Sequence, residues 1–364
     1  MISAVSQIQV DALLPYYPGT SPSQRFRIEQ WSDELAVNGV RVHLIPFADM
    51  QLMRLLHKSG HWKNKIVHGI SASLRRFLYV FAKRRSHAVF IHRAMYLAGP
   101  PVLERLIRFL RRPIIFDFDD AIFHLHTSSA NRRWGWLKWP GKTSTLCRLA
   151  QHVVVGNEYL AEYARKHNSK VTIVPSSVDT EKFLPGRNKQ SGQQVVIGWT
   201  GSSTSQTYLE WFAPVLAPIA KRAEVEFRVH SDRKPDLPFP FTWRPWSPDT
   251  EVTELDAFDI GIMPMPDDRW ARGKCAMKAL LYMAMETSAV CSAIGTNCEV
   301  IQHGENGMLA GTPEEWHHCL SVLIEDVKLR NKLGQAGRQT VEANYSKRVC
   351  AERLAAVIRE VVDR

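Results

Sequence analysis

Gly273-Lys-Cys-Ala-Met-Lys-Ala-Leu-Leu-Tyr-Met-Ala284, followed by Ala289-Val-Cys-Ser292, Gly295-Thr-Asn-Cys-Glu299 and Gly304-Glu-Asn-Gly307, is the stretch from which the 364-residue chain is read. Met277, Leu280, Leu281 and Ala284 recur at three- and four-residue spacing, which predicts a helix burying one side. Residues 289–292 are short and apolar enough for a buried strand, so helix, strand, glycine turn and helix follow in order. Lys274 and Lys278 lie four apart, and this reading places both on one face of the helix's first turns. Unpaired N–H groups and the positive dipole end favour an anion there. A phosphate suits that place; two solvated surface lysines are the alternative.

Upstream, Val195-Val-Ile-Gly-Trp-Thr-Gly-Ser-Ser203 reads as a strand turning through glycine toward a helix over 208–222. The N–H groups and hydroxyls of Gly201, Ser202 and Ser203 suit a diphosphate, or Ser203 and Gln206 form a capping box. Strands over 226–230, 241–245 and 259–264 follow. The polar run 185–192 is a linker. Before it, a strand over 8–14, a turn-rich loop holding Gly19, a helix over 24–38 and a strand over 40–45 form a β-loop-α-β opening. Gly19 then lies at a strand's carboxyl end, where open α/β sheets bind ligands. Arg25 and Arg27 near the helix start hold an anion or are surface charge. Strands over 88–92 and 114–120 come next, the second ending in Asp117-Phe-Asp-Asp120 with His124 and His126 close behind. By strand alternation Asp117 and Asp119 share a face and Asp120 does not. These carboxylates serve chemistry or a cation, or they are a helix cap plus one satisfied buried acid.

Net charge of +11 favours acidic partners, while 45% hydrophobic and 23% charged residues describe a globular protein. Between Asp49 and Glu104 there are ten lysines and arginines and no acid, interleaved with apolar residues from Leu52 to Phe81. That pattern marks a helix on an anionic bilayer surface, or one whose apolar stripe packs on the domain's own sheet. Arg132-Arg-Trp-Gly-Trp-Leu-Lys-Trp139 is a second candidate anchor. Six cysteines without a C-x-x-C pair suggest reduced thiols and no metal site. No segment reads as a signal peptide or membrane span, and no nucleic-acid motif is present, so a cytoplasmic protein at the inner face of the membrane is expected.

Asp259-Ile-Gly-Ile-Met-Pro264, Lys278-Ala-Leu-Leu-Tyr-Met-Ala284, Gly304-Glu-Asn-Gly-Met-Leu-Ala310 and Leu329-Arg-Asn-Lys-Leu-Gly334 together resemble the retaining GT-B glycosyltransferases of glycosyltransferase family 4, the glycosyl transferases group 1. Arg25-Phe-Arg27 and Asp117-Phe-Asp-Asp-Ala-Ile-Phe123 extend the likeness into the first half. The resemblance implies an α/β protein of two Rossmann-like domains facing across a cleft: 1–184 for the acceptor and membrane, 185–345 for the nucleotide-sugar donor, and a helix over 346–364 crossing back. It implies transfer of a sugar from a nucleoside diphosphate to a hydroxyl, with retention and without cofactor or metal. The acceptor is expected to be lipid-linked or close to the membrane, as in assembly of a surface polysaccharide or glycolipid. Asp119, Asp120, His124, Lys274 and Lys278 become the catalytic candidates. Gly19, Arg25, Gly201, Ser202, Ser203, Lys274, Lys278, Gly295, Thr296, Asn297 and Glu299 become the donor-binding ones. Thr296 with Glu299 also reads as a capping box. Many relatives carry two glutamates spaced E-x7-E, and Gly273 and Leu281 occupy those places here. That departure keeps open a catalytically weakened accessory protein that binds nucleotide sugars.

Overall fold

The computed structural model describes residues 7–56, 62–82, 86–96, 99–124, 139, 141–186 and 194–363. They form two compact units, one running up to Ser176 and resuming at Lys347, the other Ser177–Ser346. His126 and most of the 132–139 anchor lie outside the described residues, as do Lys58 and Lys83, Arg84 and Arg85.

In the first unit, β1 (Ile8–Leu14), β2 (Val40–Pro46), β3 (Ala88–His92), β4 (Ile114–Phe118), β5 (His152–Val155) and β6 (Val171–Ile173) form a parallel sheet in the order β2-β1-β3-β4-β5-β6. Every residue of β3 and β4 is buried, which explains their nearly unbroken apolar sequences. The order reverses between β1 and β3, so their carboxyl ends, Leu14 and His92, border the crevice where such sheets bind ligands. The C-terminal helix Lys347–Val362 belongs to this unit. Its Cys350, Ala351, Leu354, Ala355 and Ile358 pack with Val10, Ala12, Ile28 and Trp31 in one core.

The second unit repeats the design with β7 (Val195–Gly201), β8 (Val225–Ser231), β9 (Thr242–Pro245), β10 (Ile260–Met263), β11 (Ser288–Ser292) and β12 (Met308–Ala310). The order is β12-β11-β10-β7-β8-β9, reversing between β7 and β10. Tyr282 clips that junction: its hydroxyl accepts from Thr200 N–H at 3.1 Å and donates to the Ile262 carbonyl at 3.1 Å. A side chain at Gly261 would overlap the Tyr282 ring. The Leu329-to-Gly334 motif has a similar origin, because a Cβ at Gly334 would run into the Glu286 carbonyl just past the helix Met277–Ala284.

Two sequence expectations change, and one of two alternatives falls. Strand β4 stops at Phe118, so Asp119 and Asp120 lie beyond the alternating backbone that was to orient them. The helix after β7 begins at Ser203, five residues early. On the helix Trp62–Phe81 the apolar stripe does not pack on the sheet: Trp62, Ile66, Val67, Ile70, Leu74, Phe77, Leu78 and Phe81 are exposed. The buried side carries Ala72, Arg76, Tyr79 and Val80. Arg76 turns inward because its Nη2 donates to the Leu14 and Ile45 carbonyls at 3.0 Å each, and Tyr79 donates to Asp11 at 2.8 Å.

Gly334→Ala is expected to lower unfolding stability by about 1–3 kcal/mol, since the added methyl meets backbone rather than a mobile side chain. Denaturant melts of the two proteins check this.

Candidate functional site

In the second unit the chemistry collects at the carboxyl ends of β7, β10 and β11. Lys278, in the first turn of Met277–Ala284, is half-buried, with its ammonium 5.3 Å from the centre of the Trp199 ring. Gly201 makes room for it: a Cβ there would stand 2.8 Å from Lys278 Cε, 2.7 Å from Trp199 and 2.6 Å from the Ser205 hydroxyl. Burial, and then the charge of Lys274, push the Lys278 pKa down to about 7. Half-charged near neutrality, such a lysine gains its proton when an anion arrives.

Lys274 stands elsewhere than the periodicity placed it. It follows the short helical turn Ala271–Gly273 in extended backbone (φ −77°, ψ 145°), three residues before the helix. Ala276, in the left-handed region at φ 51°, turns the chain between them. The two lysines therefore do not share a helix face, although Lys274 still acts electrostatically on Lys278.

The turn after β7 is also changed. Asp232 caps the helix Ser203–Ala220, accepting from Ser203 N–H at 2.6 Å and from its hydroxyl at 3.0 Å. Gln206 donates to Glu210, so the Ser203–Gln206 capping box does not form. Ser202 bonds Thr204 at 2.8 Å. An internal carboxylate thus takes both Ser203 donors of the turn read as a diphosphate cradle.

Beyond β11, Gly295 adopts φ 50°, ψ −137° and packs against Arg272, whose carbonyl would lie 3.0 Å from an added Cβ. Thr296 and Asn297 are buried at the start of the helix Thr296–Val300, while Glu299 is exposed. No side-chain cap forms there, so the Thr296–Glu299 capping box is absent. Thr296 Oγ1 and Asn297 Oδ1 are buried without a hydrogen-bond partner, as is Trp199 Nε1. Such atoms cost about 1–3 kcal/mol each unless something binds them. Gly273 and Leu281, the places of the missing glutamates, are both buried.

The first unit holds a separate polar centre at its own β1/β3 junction. Arg27 Nε donates to both oxygens of Asp117, at 3.2 and 3.0 Å, and Arg27 Nη1 to the Val174 carbonyl at 2.8 Å. His92 Nδ1 lies 2.6 Å from Asp117, and its Nε2 lies 3.0 Å from the Ser23 hydroxyl, which donates to Asp119 at 2.5 Å. Arg93, at φ 60°, reaches Asp120 at 3.1 Å and Asp119 at 4.0 Å. Burial works to raise the pKa of Asp117, but Arg27 and His92 bring it below the usual carboxylate value. Asp119 is likewise lowered, with Arg93 the main opponent of its burial.

Arg27, not Arg25, joins this centre. The helical path is kinked at Arg27 (φ −125°, ψ −113°), while the Arg25 guanidinium lies over the Phe26 ring at 4.5 Å. Gly19 N–H is taken by Glu29 at 2.8 Å. His124 lies 3.0 Å from the Tyr159 hydroxyl and beside Phe123. Ser23, His92 and Arg93 escaped the sequence reading, though the end of strand 88–92 pointed to His92. Arg338 gave no signal at all: it ties the Thr180 and Phe183 carbonyls, at 3.1 and 2.7 Å, to the Ala284 carbonyl.

Residues 194–326 match the family model of the glycosyl transferases group 1. No curated protein matches the chain. Among solved structures, the chain is similar to sucrose-phosphate synthase from Thermosynechococcus elongatus at 12% identity and TM-score 0.71, covering 98% of this chain and 99% of that one. It is similar to Anabaena HepE, solved with UDP and glucose, at 14% identity and TM-score 0.67, covering 97% and 100%. For WaaG, a glycosyltransferase involved in lipopolysaccharide biosynthesis, the values are 13% and 0.62, covering 96% and 99%. The fold is GT-B, with two Rossmann-like units.

If Lys278 meets a diphosphate, binding above pH 7 takes up a proton and weakens as pH rises, because the free lysine has lost its charge. Calorimetry in buffers of different ionisation heat should show this uptake at pH 8 in the wild type and its loss in Lys278→Arg.

Proposed function

We propose that the protein is a glycosyltransferase that moves a sugar from a nucleoside diphosphate to a hydroxyl acceptor, with retention, at an anionic membrane surface. The observation that carries the reading is Lys278, a half-buried lysine set between the Trp199 ring and Gly201 by the β7/β10 switch point, in a segment that matches the model of the glycosyl transferases group 1. Lys278, supported by Lys274, stabilises the charge that develops on the departing diphosphate. The unpartnered Thr296 Oγ1 and Asn297 Oδ1 accept hydrogen bonds from sugar hydroxyls. On the first unit, Asp119 and Asp120 accept from a substrate hydroxyl. HepE, solved with UDP-glucose, supports a nucleotide-sugar donor by analogy of fold.

The membrane part rests on the helix Trp62–Phe81. Its exposed apolar stripe, including Trp62 at 65% and Ile70 at 64% exposure, lies in a stretch from residue 50 to 103 that contains no acid. Apolar insertion and attraction to anionic headgroups then act together. Among the described residues no helix is long and apolar enough to cross a membrane. An acceptor that is lipid-linked, in surface-glycan or glycolipid assembly, fits such a surface. The buried Gly273 and Leu281, lacking carboxylates where relatives have them, favour a second reading: an accessory protein that binds the donor and transfers nothing.

Two measurements test these readings. Release of nucleoside diphosphate from nucleotide sugars, followed with membrane extracts as acceptor, separates the enzyme from the accessory protein. Substituting Ile70→Asp together with Leu74→Asp should cut binding to vesicles containing phosphatidylglycerol at least tenfold, with thermal stability unchanged. Undiminished vesicle binding would remove the membrane from the proposal.

A further inference from the structure

The helix Trp62–Phe81 carries more than its apolar stripe. Between it and the edge strand β2 lies a pocket of about 360 Å³, whose lining includes Pro46, Ala72, Arg75, Arg76, Leu78 and Ala82. Arg76 is the buried cation of that lining, only 3% exposed. Its Nη2 donates to the Leu14 and Ile45 carbonyls, while Nε and Nη1 are buried without a hydrogen-bond partner. Burial works against its charge but brings the pKa down only to about 10, so the guanidinium stays charged near neutrality. Glu104 acts on it from the helix Val102–Phe109 but is paired with Lys142 at 3.3 Å. Among the described residues no carboxylate comes within ion-pair distance of Arg76. A buried charge without a partner is costly, and an anion close by offsets part of that cost.

Arg75 is the exposed cation of the same lining. Its Nη2 donates to Asp49 at 3.0 Å, with the two side chains 51% and 38% exposed. Exposed pairs of this kind contribute about 0–1 kcal/mol, so a phosphate can displace the carboxylate. Asp49, which opposes an anion here, keeps the Leu52 N–H at 2.9 Å as a second partner. Leu78 belongs both to the lining and to the exposed stripe, so the two arginines and the apolar surface are continuous. A free anion uses only the arginines; a phosphodiester carrying acyl chains uses both.

We propose that this pocket binds the headgroup phosphate of an anionic phospholipid. Arg75 touches the phosphate, Arg76 supplies charge from beneath, and the chains run past Leu78 onto the exposed stripe. The site rests on the membrane part of the proposed function and deepens it, assigning one lipid to one place where that part asks only for an anionic surface.

The test titrates the full chain by calorimetry with dihexanoylphosphatidylglycerol below its micelle concentration, so that single lipids are present and no membrane is. Saturable binding of one lipid per chain is expected, at least tenfold weaker in Arg75→Gln. Ala82→Trp, at an exposed position of the lining, fills the pocket and leaves every charge in place, and it should weaken the lipid as much. Both variants should melt as the wild type does; Arg76 itself is left intact because it ties β1 to β2. Unchanged affinity in Ala82→Trp would show attraction by surface charge alone, and glycerol phosphate binding as tightly as the lipid would show a site for a free anion. Either result would overturn the proposal. Vesicle binding without any binding of the single lipid would overturn it too, while leaving the membrane reading in place. Binding of the single lipid without vesicle binding would end the membrane reading and keep the pocket.

Discussion

The Lys278 ammonium, lodged between the Trp199 ring and the bare Cα of Gly201, is the interaction on which the functional account depends. In the proposed reaction a diphosphate leaving group gathers charge as its bond to the sugar breaks, and a cation already in place would stabilise it. Much of the second unit serves to hold that cation. Tyr282 fastens β7 to β10 from the same short helix, Gly261 lets its ring sit flat on the sheet, and Gly334 lets the following helices close over the back.

The first unit solves a different problem. An Arg27–Asp117 pair without exposed surface is expensive to desolvate and repays that cost only when its remaining bonds are made. They are: Val174 takes one arginine nitrogen, and His92 shares the carboxylate. The left-handed Arg93 and the kink at Arg27 are departures of the kind that persist where surrounding structure holds them.

Most of the architecture was legible because parallel strands buried on both faces announce themselves as apolar runs. The sequence located β1, β3 and the final helix Lys347–Val362 closely. Charge placement was harder. Periodicity put Lys274 on a helix that starts only at Met277, because a left-handed alanine leaves no local signature. At the Gly201–Ser203 turn the Ser203 N–H goes to Asp232, a residue about thirty positions away that the parallel pairing of β7 and β8 brings near. Ser23 and His92 are sixty-nine residues apart, and nothing local relates them. The outward-facing stripe on Trp62–Phe81 was legible as amphipathic, but its direction depended on Arg76 finding the Leu14 and Ile45 carbonyls.

The most direct test of the central claim is calorimetric titration of UDP, GDP, dTDP, CDP and ADP into the wild type and Lys278→Ala at pH 7. The account predicts that one nucleotide binds clearly best and that the substitution weakens it at least tenfold without lowering the melting temperature. Equal binding by both proteins would contradict the role given to Lys278, and with it the reading of the second unit's site.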